Sequence, residues 1–452
     1  MNEKLSVFAK TYRAKKAVLL GLGVSNIAAA EFLSDIGMHV TARDKNRPDD
    51  SVLDKMRKMN IDVIFGGGWL DGIDADIALR SPGIRPDAVL SHIGNARLTS
   101  EIELFCELCP CKLITVTGSD GKTTTTTLIS KMLEREYAGT QKRVFLGGNI
   151  GTPLLPIVKS VAPSDIAVLE LSSFQLMTMN FSPCVSVMTN VSPNHLNWHT
   201  DFDEYVAAKK RIFENQGENS VFVTNADNGI TAALAAEART KVRLFSCEHD
   251  ADACYSDGQI FLENEPLIPA SDIKIRGTHN AQNFMAACLA VEDFVSRENM
   301  IFVAREFVGV RHRCELVLES GGVKFYNSSI DTSPTRTAAA LSALDGRAIV
   351  ILGGYDKHIP CEPLIPTLCE KTKAIVGTGQ TGKSLCDMTA GAGYAGKIEY
   401  IADFDSAVKF AASLATRGDN VILSPAAASF DSFKNFEERG DKFCEIIKNM
   451  YK

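Results

Sequence analysis

The sequence predicts an α/β protein of three domains, each built around a largely parallel β-sheet. Short apolar runs of strand length recur along the 452 residues and alternate with helix-like segments, a pattern typical of parallel sheets covered on both faces. Glycine-containing turns join several of these runs to the helix that follows. The length suits about three ordinary domains, which we expect at residues 1–100, 101–309 and 310–452.

The first domain is predicted from a strand, glycine turn, helix and strand that end at Asp44. Gly21 and Gly23 match the first two glycines of the dinucleotide-binding fingerprint, and Asn26 stands in place of the third. Asp44 follows at about the twenty residues expected of the acidic position. The pattern fits a nucleotide or nucleotide sugar at the helix N-terminus, where free N–H groups face an anion. A turn that serves only strand–helix packing fits the same residues.

The second domain contains the predicted strands KLITVTG, DIAVLEL, VSVMTNV and SVFVTN. The first strand leads into a loop that resembles a phosphate-binding loop, with Gly121, Lys122 and Thr123 at its end. The usual pattern, G-x-x-x-x-G-K-[ST], requires a glycine where this chain has Val116. The only upstream glycine is Gly118, so the loop is two residues short.

The third domain contains the predicted strands RAIVILGG, KAIVG, KIEYIA and NVILSP, together with a literal match to the phosphate-loop pattern. That match is GTGQTGKS, residues Gly377 to Ser384. Both candidate loops follow an apolar strand and precede a helix. Their local context therefore does not separate them.

The residues at neighbouring strand ends favour the short loop. Glu170 ends one predicted strand, and Asn190 and His195 follow the next. Ligands of open parallel sheets bind outside the carboxyl ends of the strands, and phosphoryl transfer requires a divalent metal with such ligands nearby. Asp403 and Asp405, beside the literal match, are placed as helix caps usually are. We predict that the short loop holds the nucleotide.

The composition and charge of the chain limit the kinds of partner that we expect it to bind. The net charge is −7 and no basic stripe exists, which argues against nucleic acid. No apolar run approaches the roughly 20 residues of a membrane span, and the N-terminus does not resemble a signal peptide, so we expect a cytoplasmic protein. The twelve cysteines are scattered and are expected to be reduced thiols. The cluster Cys106, Cys109 and Cys111 has no second pair at the spacing of a zinc site.

Together these motifs resemble the Mur ligases, the ATP-dependent amide-forming enzymes of peptidoglycan precursor synthesis. The family's nucleotide loop has the shortened form T-G-x-x-G-K-[ST], here TGSDGKT. Other matching stretches occur in the family's order across all three predicted domains: SPGI, IELFC, GGNIGTPLL, LELSSFQL, NVSPNH, YVAAKKRIFEN, GTHNAQN, HRCE and SPAAASFDSFKNFEERG. The resemblance implies a Rossmann-like UDP-binding domain, a central P-loop ATPase-like sheet and a Rossmann-like C-terminal domain that binds an amino acid.

The resemblance also implies roles for individual residues. Catalytic roles are implied for Lys122, His195 and Lys209, the last as a lysine carbamylated by CO2. ATP binding is implied for Gly118, Ser119, Asp120, Gly121, Lys122, Thr123, Thr124, Asn280, Asn283, Arg313 and Asp331. Magnesium binding is implied for Thr123, Glu170, His195 and Lys209. UDP-substrate binding is implied for Val24, Ser25, Lys45, Gly83 and Asn149. D-Glutamate binding is implied for Thr332, Lys357, Ser429 and Phe436.

The reaction implied by the resemblance joins D-glutamate to UDP-N-acetylmuramoyl-L-alanine through an acyl phosphate, with ATP and magnesium and as a monomer. The chain departs from the family in one stretch. The family often has N-D-S-K-A-T where this chain has NSSIDT, so that Ser328 replaces the aspartate and Ile330 the lysine. Asp331 is the candidate to take over the aspartate's contact with the nucleotide.

Three other interpretations remain open at this point. The chain could be another amide ligase, either a Mur ligase that adds a different amino acid or a folylpolyglutamate synthase, although the latter lacks the N-terminal domain predicted here. The first domain could instead bind a dinucleotide in a dehydrogenase. The third interpretation is a protein that binds a nucleotide for a binding or regulatory role and forms no amide.

Overall fold

The computed structural model describes residues 2–195, 198–275, 277–342, 344–356 and 359–451. The chain forms two compact units, Met1–Phe307 and Val308–Lys452. The first unit contains two β-sheets and the second unit one. The predicted α/β class with largely parallel sheets is confirmed, whereas the predicted boundary near residue 100 stays a prediction.

The first sheet has five parallel strands in the order β3-β2-β1-β4-β5. Its strands are β1 Lys16–Leu20, β2 His39–Asp44, β3 Asp62–Phe65, β4 Ile77–Arg80 and β5 Arg97–Thr99. The helices of this region are α1 Glu3–Tyr12, α2 Val24–Asp35, α3 Asp50–Lys58, α4 Asp87–Leu90 and α5 Glu101–Leu108. The strand order reverses between β1 and β4, which creates the crevice where such sheets bind ligands.

The second sheet has nine strands in the order β14-β13-β12-β11-β10-β9-β6-β8-β7. Its parallel strands are β6 Lys112–Thr117, β7 Val144–Gly148, β8 Ile166–Glu170, β9 Val185–Met188, β10 Val221–Asn225, β11 Lys241–Ser246 and β12 Ala253–Ser256. Two antiparallel strands follow, β13 Gln259–Leu262 and β14 Glu265–Pro269. The helices are α6 Lys122–Glu136, α7 Ser173–Leu176, α8 Phe202–Glu214, α9 Gly229–Ala235, α10 Thr278–Val291 and α11 Arg297–Glu306.

One apolar core joins the first two sheets. Leu19 of β1 and Phe32 of α2 belong to the same buried cluster as Leu169 of β8 and Leu155, with Phe105 of α5 among them. Buried apolar contact over both sheets explains why residues 1–307 form a single compact unit.

The second unit has a six-stranded sheet in the order β15-β16-β20-β17-β18-β19, parallel except for the pair β15 and β16. Its strands are β15 Glu315–Ser320, β16 Val323–Asn327, β17 Ala348–Leu352, β18 Thr372–Gly377, β19 Lys397–Tyr400 and β20 Asn420–Leu423. Its helices are α12 Pro334–Ser342, α13 Ile365–Lys371, α14 Gly379–Gly391, α15 Phe404–Ser413 and α16 Phe436–Met450.

Two further observations bear on the sequence-based expectations. All twelve cysteines are free thiols, and Cys106, Cys288 and Cys386 are buried. Within the part of the chain that the structure describes, no helix is both long and apolar enough to cross a membrane.

Candidate active site

The loop between β6 and α6 requires glycine at two positions. Gly118 has φ 153° and Gly121 has φ 77°, a backbone region that side chains rarely adopt. A Cβ atom on Gly118 would lie 1.9 Å from Oγ1 of Thr189. A Cβ atom on Gly121 would lie 2.2 Å from Oδ1 of Asn283. The short loop is therefore packed tightly between the segment after β9 and helix α10.

Residues after β9 fix the conformation of this loop. Ser119 N donates to Asn190 O at 2.9 Å, and Asp120 N donates to Asn190 Oδ1 at 2.9 Å. Thr189 Oγ1 donates to Asp120 O at 2.6 Å. Gly121 is the N-cap of α6 and provides no side-chain cap. The N-terminus of α6 is thus suited to an anion such as a phosphate group.

Two lysine side chains converge on this loop. Lys122 Nζ donates to Gly118 O at 2.9 Å and to Ser119 O at 2.8 Å. Lys209 Nζ donates to the same Gly118 oxygen at 2.6 Å. The Lys122 ammonium gives this loop a positive potential that favours a polyanionic ligand, and the Lys209 amine lies directly beside it.

Lys209 lies beneath the loop and not on the surface. Its side chain extends from α8, is 2% exposed and lies 4.7 Å from the ring centre of Tyr205. Burial lowers the pKa of Lys209 well below its usual value, and the nearby charge of Lys122 adds to the effect. A neutral amine is therefore accessible at this position, and the side chain is not solvated.

Glu170, at the end of β8, presents one carboxylate oxygen that has no hydrogen-bond partner. The residue is 1% exposed, and its Oε1 accepts from Asn149 Nδ2 at 2.7 Å. Its Oε2 is buried and has no partner among the described residues. A buried carboxylate oxygen without a donor fits a ligand of a divalent cation. Thr123, the other predicted ligand from this region, is buried in the first turn of α6.

His195 lies in a backbone conformation unusual for histidine. Its φ is 56°, its side chain is exposed, and its ring centre lies 5.0 Å from that of Phe174. Backbone strain of this kind persists only where surrounding contacts hold it. Asn194 Oδ1 accepts from His195 N at 2.8 Å. The metal role of His195 stays a prediction.

The predicted adenine-side asparagines adjoin the loop. Asn283, in α10, is buried, and its Oδ1 accepts from Thr125 Oγ1 at 3.3 Å. Asn283 Nδ2 donates to Asn280 Oδ1 at 3.2 Å. Helix α10 is therefore tied through Asn283 to α6, which begins directly after the short loop. Thr124, also predicted to bind ATP, is half-buried in the first turns of α6.

The literal phosphate-loop match in the second unit does not form a loop. Strand β18 ends at Gly377 and α14 already begins at Gly379, so its Gly-Lys-Ser residues lie within the helix. A Cβ atom on Gly382 would lie 2.9 Å from the carbonyl carbon of Gly377, whereas Lys383 is exposed. Thr381 N donates to Gly354 O at 3.0 Å. The glycines of this match serve strand–helix packing.

In the first sheet, Asn26 and Asp44 hold the glycine turn after β1. Asn26 is fully buried, and its Nδ2 donates to Gly21 O at 2.8 Å and to Leu79 O at 3.1 Å. Asp44 Oδ2 accepts from Leu22 N at 2.7 Å. The asparagine in place of the third glycine thus links the ends of β1 and β4. Asp44, which a dinucleotide fingerprint would assign to a ribose, is bonded to the turn instead.

The predicted UDP-substrate residues lie at the carboxyl ends of strands. Val24 and Ser25 begin α2 after β1, Lys45 follows β2 and Gly83 follows β4. The side chain of Val24 is 73% exposed. Asn149 follows β7 in the second sheet, where its N donates to Glu170 O at 2.7 Å. Val24, Ser25, Lys45 and Gly83 therefore lie at the carboxyl edge of the first sheet, where the crevice between β1 and β4 opens. Asn149 lies apart from them, beside Glu170 in the second sheet.

In the second unit the predicted ligand residues lie in three segments: Arg313 precedes β15, Asp331 and Thr332 follow β16, and Ser429 and Phe436 follow β20. Asp331 is buried and accepts from Ser424 Oγ at 2.8 Å; burial raises the pKa of its carboxyl group. Ser429 is 1% exposed, and Phe436 begins α16. Thr332 is half-buried and Arg313 is exposed. Lys357 lies outside the described residues.

Three side chains that hold the segments around these residues were not predicted from the sequence: Tyr205, Arg439 and Arg85. Tyr205 Oη lies 2.8 Å from Ser119 Oγ of the short loop. Arg439 is buried and donates to the carbonyl oxygens of Ala427, Ala428 and Ser329 at 3.1, 2.9 and 2.9 Å. Arg85 joins the loop after β4 to α8. Tyr205 and Arg439 lay inside stretches that matched the family, but nothing in their spacing signalled a contact.

Comparison with known proteins gives family matches over most of the chain. Residues 116–291 match the Mur ligase middle domain, and residues 312–427 match the Mur ligase glutamate ligase domain. The chain is 45% identical over 473 aligned positions to the UDP-N-acetylmuramoylalanine–D-glutamate ligase of Acetivibrio thermocellus, covering 100% of both chains. It is 42% identical to the enzyme of that name from Clostridium botulinum strain Alaska E43, again over 100% of both chains.

Solved structures share the fold at low identity. The UDP-N-acetylmuramate-alanine ligase of Thermotoga maritima gives a TM-score of 0.59 at 18% identity, over 96% of this chain and 100% of that one. The MurF ligase of Thermotoga maritima, solved in complex with ADP, gives a TM-score of 0.55 at 15% identity over 100% of both chains. At this identity the likeness concerns the fold alone.

Proposed function

The chain belongs to the Mur ligase family, and we propose that it is the ligase that joins D-glutamate to UDP-N-acetylmuramoyl-L-alanine at the expense of ATP. The observation that carries the proposal is full-length identity of 45% to a relative named for that reaction. The product is a peptidoglycan precursor. The short loop, with its two lysines and the buried Glu170, supports the ATP-dependent step.

In this proposal the loop Gly118–Gly121 and the N-terminus of α6 bind the phosphates of ATP. The Lys122 ammonium, now directed at loop carbonyls, turns to the β- and γ-phosphates when ATP is present. Asn280 and Asn283 bind on the adenine side, with Ser119, Asp120 and Thr124 completing the loop contacts. Arg313 and Asp331 are the proposed ATP contacts of the C-terminal domain.

A carboxylate oxygen of the UDP-linked substrate attacks the γ-phosphorus, and the bond to the β–γ bridging oxygen breaks to release ADP. The amine of D-glutamate then attacks the acyl carbon, loses a proton, and phosphate leaves as the amide forms. Lys122 stabilises the charge that develops on the transferring phosphoryl group. Magnesium, when bound, would supply further charge neutralisation on these phosphates. Thr123, Glu170 and His195 are the residues proposed to hold it.

Lys209 is proposed to carry a carbamate. Its neutral amine adds to the carbon of CO2 and loses a proton, which converts a cation into an anion. Burial beside Lys122 favours the neutral amine that this step requires. The carbamate would keep one N–H, which can donate to Gly118 O as Lys209 Nζ does now, and its oxygens would help to orient the metal.

The other two substrates are assigned by the same proposal. Val24, Ser25, Lys45, Gly83 and Asn149 are the proposed contacts of the UDP-linked substrate. Thr332, Lys357, Ser429 and Phe436 are the proposed contacts of D-glutamate. The proposed division is a Rossmann-like UDP-binding domain at 1–100, an ATP-binding domain at 101–309 and a Rossmann-like amino-acid-binding domain at 310–452. Since one chain supplies every proposed contact, we propose a monomer that acts in the cytoplasm, where ATP is available.

Omission of single substrates tests the function. ADP release by the purified protein should require ATP, UDP-N-acetylmuramoyl-L-alanine and D-glutamate together, because the amine completes the turnover. Release of ADP with ATP alone at the same rate, or no release with all three, would exclude an amide ligase.

A further inference from the structure

Arg85, in the loop after β4, makes a two-point ion pair with Glu204 of α8. Arg85 Nη2 donates to Glu204 Oε1 at 2.9 Å and Nη1 donates to Oε2 at 3.0 Å. The two side chains are 22% and 23% exposed. The pair lowers the pKa of Glu204 to about 2. Bidentate pairs of this kind fix geometry as well as charge, so the pair joins a loop of the first sheet to a helix of the second.

The same loop holds Trp198 on two sides. Arg85 Nη1 donates to Trp198 O at 2.6 Å, and the guanidinium carbon lies 5.2 Å from the indole ring centre. Trp198 Nε1 donates to Gly83 O at 3.1 Å. Trp198 is therefore bound both by Arg85 and by the backbone at Gly83, which is proposed to contact the UDP-linked substrate.

Trp198 in turn holds His195. Trp198 N and His199 N each donate to His195 O at 3.0 Å. The ring of Phe174 lies 4.2 Å from that of Trp198 and 5.0 Å from that of His195, between ring centres. Glu204 Oε2 also contacts His199 Nδ1 at 3.0 Å. The unusual φ of His195 is thus maintained by contacts that depend on Arg85 and Glu204.

On its other side the loop is tied to the crevice of the first sheet. Ser81 Oγ donates to Gly21 O at 3.1 Å. The buried Arg80 donates to Ile84 O at 2.6 Å and to Phe174 O at 2.9 Å. A displacement of the loop by a ligand in the crevice would therefore reach Trp198 and Phe174 through direct contacts.

We infer that Arg85 is a positioning residue that couples occupancy of the UDP-substrate crevice to the placement of His195. The inference rests on the proposed function, in which Gly83 contacts that substrate and His195 binds magnesium. Arg85 is not a proposed contact of the substrate or of magnesium, and it acts through Glu204 and Trp198. Loss of the ion pair weakens the link between the His195 turn and the crevice, and leaves the Trp198–Gly83 and Arg80–Phe174 hydrogen bonds to maintain it.

The first test measures magnesium dependence. Arg85→Gln and Glu204→Gln should each raise the magnesium concentration for half-maximal activity by about 10- to 100-fold, the range for residues that orient metal ligands, with little change in the KM for ATP. The effect of the double variant should be smaller than the sum of the two single effects, because both variants remove the Arg85–Glu204 ion pair. Arg97→Gln is the matched control, since the ion pair of Arg97 is with Glu107 and not with Glu204.

The second test follows Trp198 directly. The chain has two tryptophans, so Trp69→Phe leaves Trp198 as the sole indole reporter. UDP-N-acetylmuramoyl-L-alanine should change its emission, and Arg85→Gln should reduce that change, with the direct Trp198–Gly83 contact accounting for what remains. If Arg85→Gln and Glu204→Gln match Arg97→Gln in magnesium dependence and keep the Trp198 response, the inference is wrong. An unsubstituted protein without ligase activity would instead overturn the proposed function.

Discussion

At the scale of single residues, burial distinguishes a lysine directed at the short loop from its neighbour on the surface. Lys209 and Lys210 are neighbours on α8, but Lys209 is 2% exposed and directed at the loop, whereas Lys210 makes a surface ion pair with Glu237. A surface pair of this kind contributes about 0–1 kcal/mol. The two lysines therefore form a natural comparison.

We predict that Lys209→Ala is nearly inactive and that Lys210→Ala keeps most of its activity. Short carboxylates such as formate should partly restore Lys209→Ala by supplying the missing oxygens. Removal of dissolved CO2 and bicarbonate should lower the activity of the unsubstituted protein. Carbamylation should also increase as the pH rises, since the reactive form is the neutral amine. A fully active Lys209→Ala protein would contradict the carbamate.

At the scale of elements, the residue at which the helix begins distinguishes the short loop from the literal phosphate-loop match. In the short loop α6 begins at Lys122, directly after Gly121, so that loop and helix N-terminus face the same space. In the literal match α14 begins at Gly379, so Lys383 lies inside the helix. The motif letters do not encode this difference, because both stretches follow a strand and precede a helix.

We predict that Lys122→Ala lowers ATP-dependent phosphate release by about 100- to 1,000-fold, as expected for loss of a group that stabilises the transferring charge. Lys383→Ala should change the rate little, because the side chain is exposed on α14. Both rates are read from a phosphate-release assay with all substrates present. The opposite pattern would move the nucleotide site to the second unit.

Several elements were predicted correctly because their sequence signal is local. The apolar runs gave β6, β8, β9 and β10 of the second sheet, and β17 to β20 of the third. The strands β11 to β14 and the pair β15 and β16 were not predicted, since they mix buried, half-buried and exposed positions and lack long apolar runs. The antiparallel pairing of β12 to β14 depends on tertiary contacts that a short window does not contain.

The contacts that hold the candidate site could not be read from the sequence for the same reason. Arg85 and Glu204 lie 119 positions apart, and Arg439 meets Ser329 across 110 positions. The positions of Glu170 and His195 after strands were predictable, since parallel strands end at one edge of a sheet. The unpartnered oxygen of Glu170 and the burial of Lys209 became visible only with the packing around them.

At the scale of the whole molecule, the chain contains a full set of proposed contacts for ATP, a UDP-linked substrate and an amino acid. Glutamate has two carboxylates, and a site built to hydrogen-bond both rejects an amine that leaves its donors unpaired, by factors up to roughly 10,000-fold. The identity of the amino acid is therefore the most specific part of the account. It also separates this enzyme from the other amide ligases of the same fold.

An amino-acid panel with ATP and UDP-N-acetylmuramoyl-L-alanine tests this claim most directly. The measurement is kcat/KM for amide product with D-glutamate, L-glutamate, D-alanine, L-lysine and diaminopimelate. The account predicts strong preference for D-glutamate over every other member of the panel, and a rise in the KM for D-glutamate but not for ATP in Lys357→Ala. Preference for L-glutamate, L-lysine or diaminopimelate would contradict it.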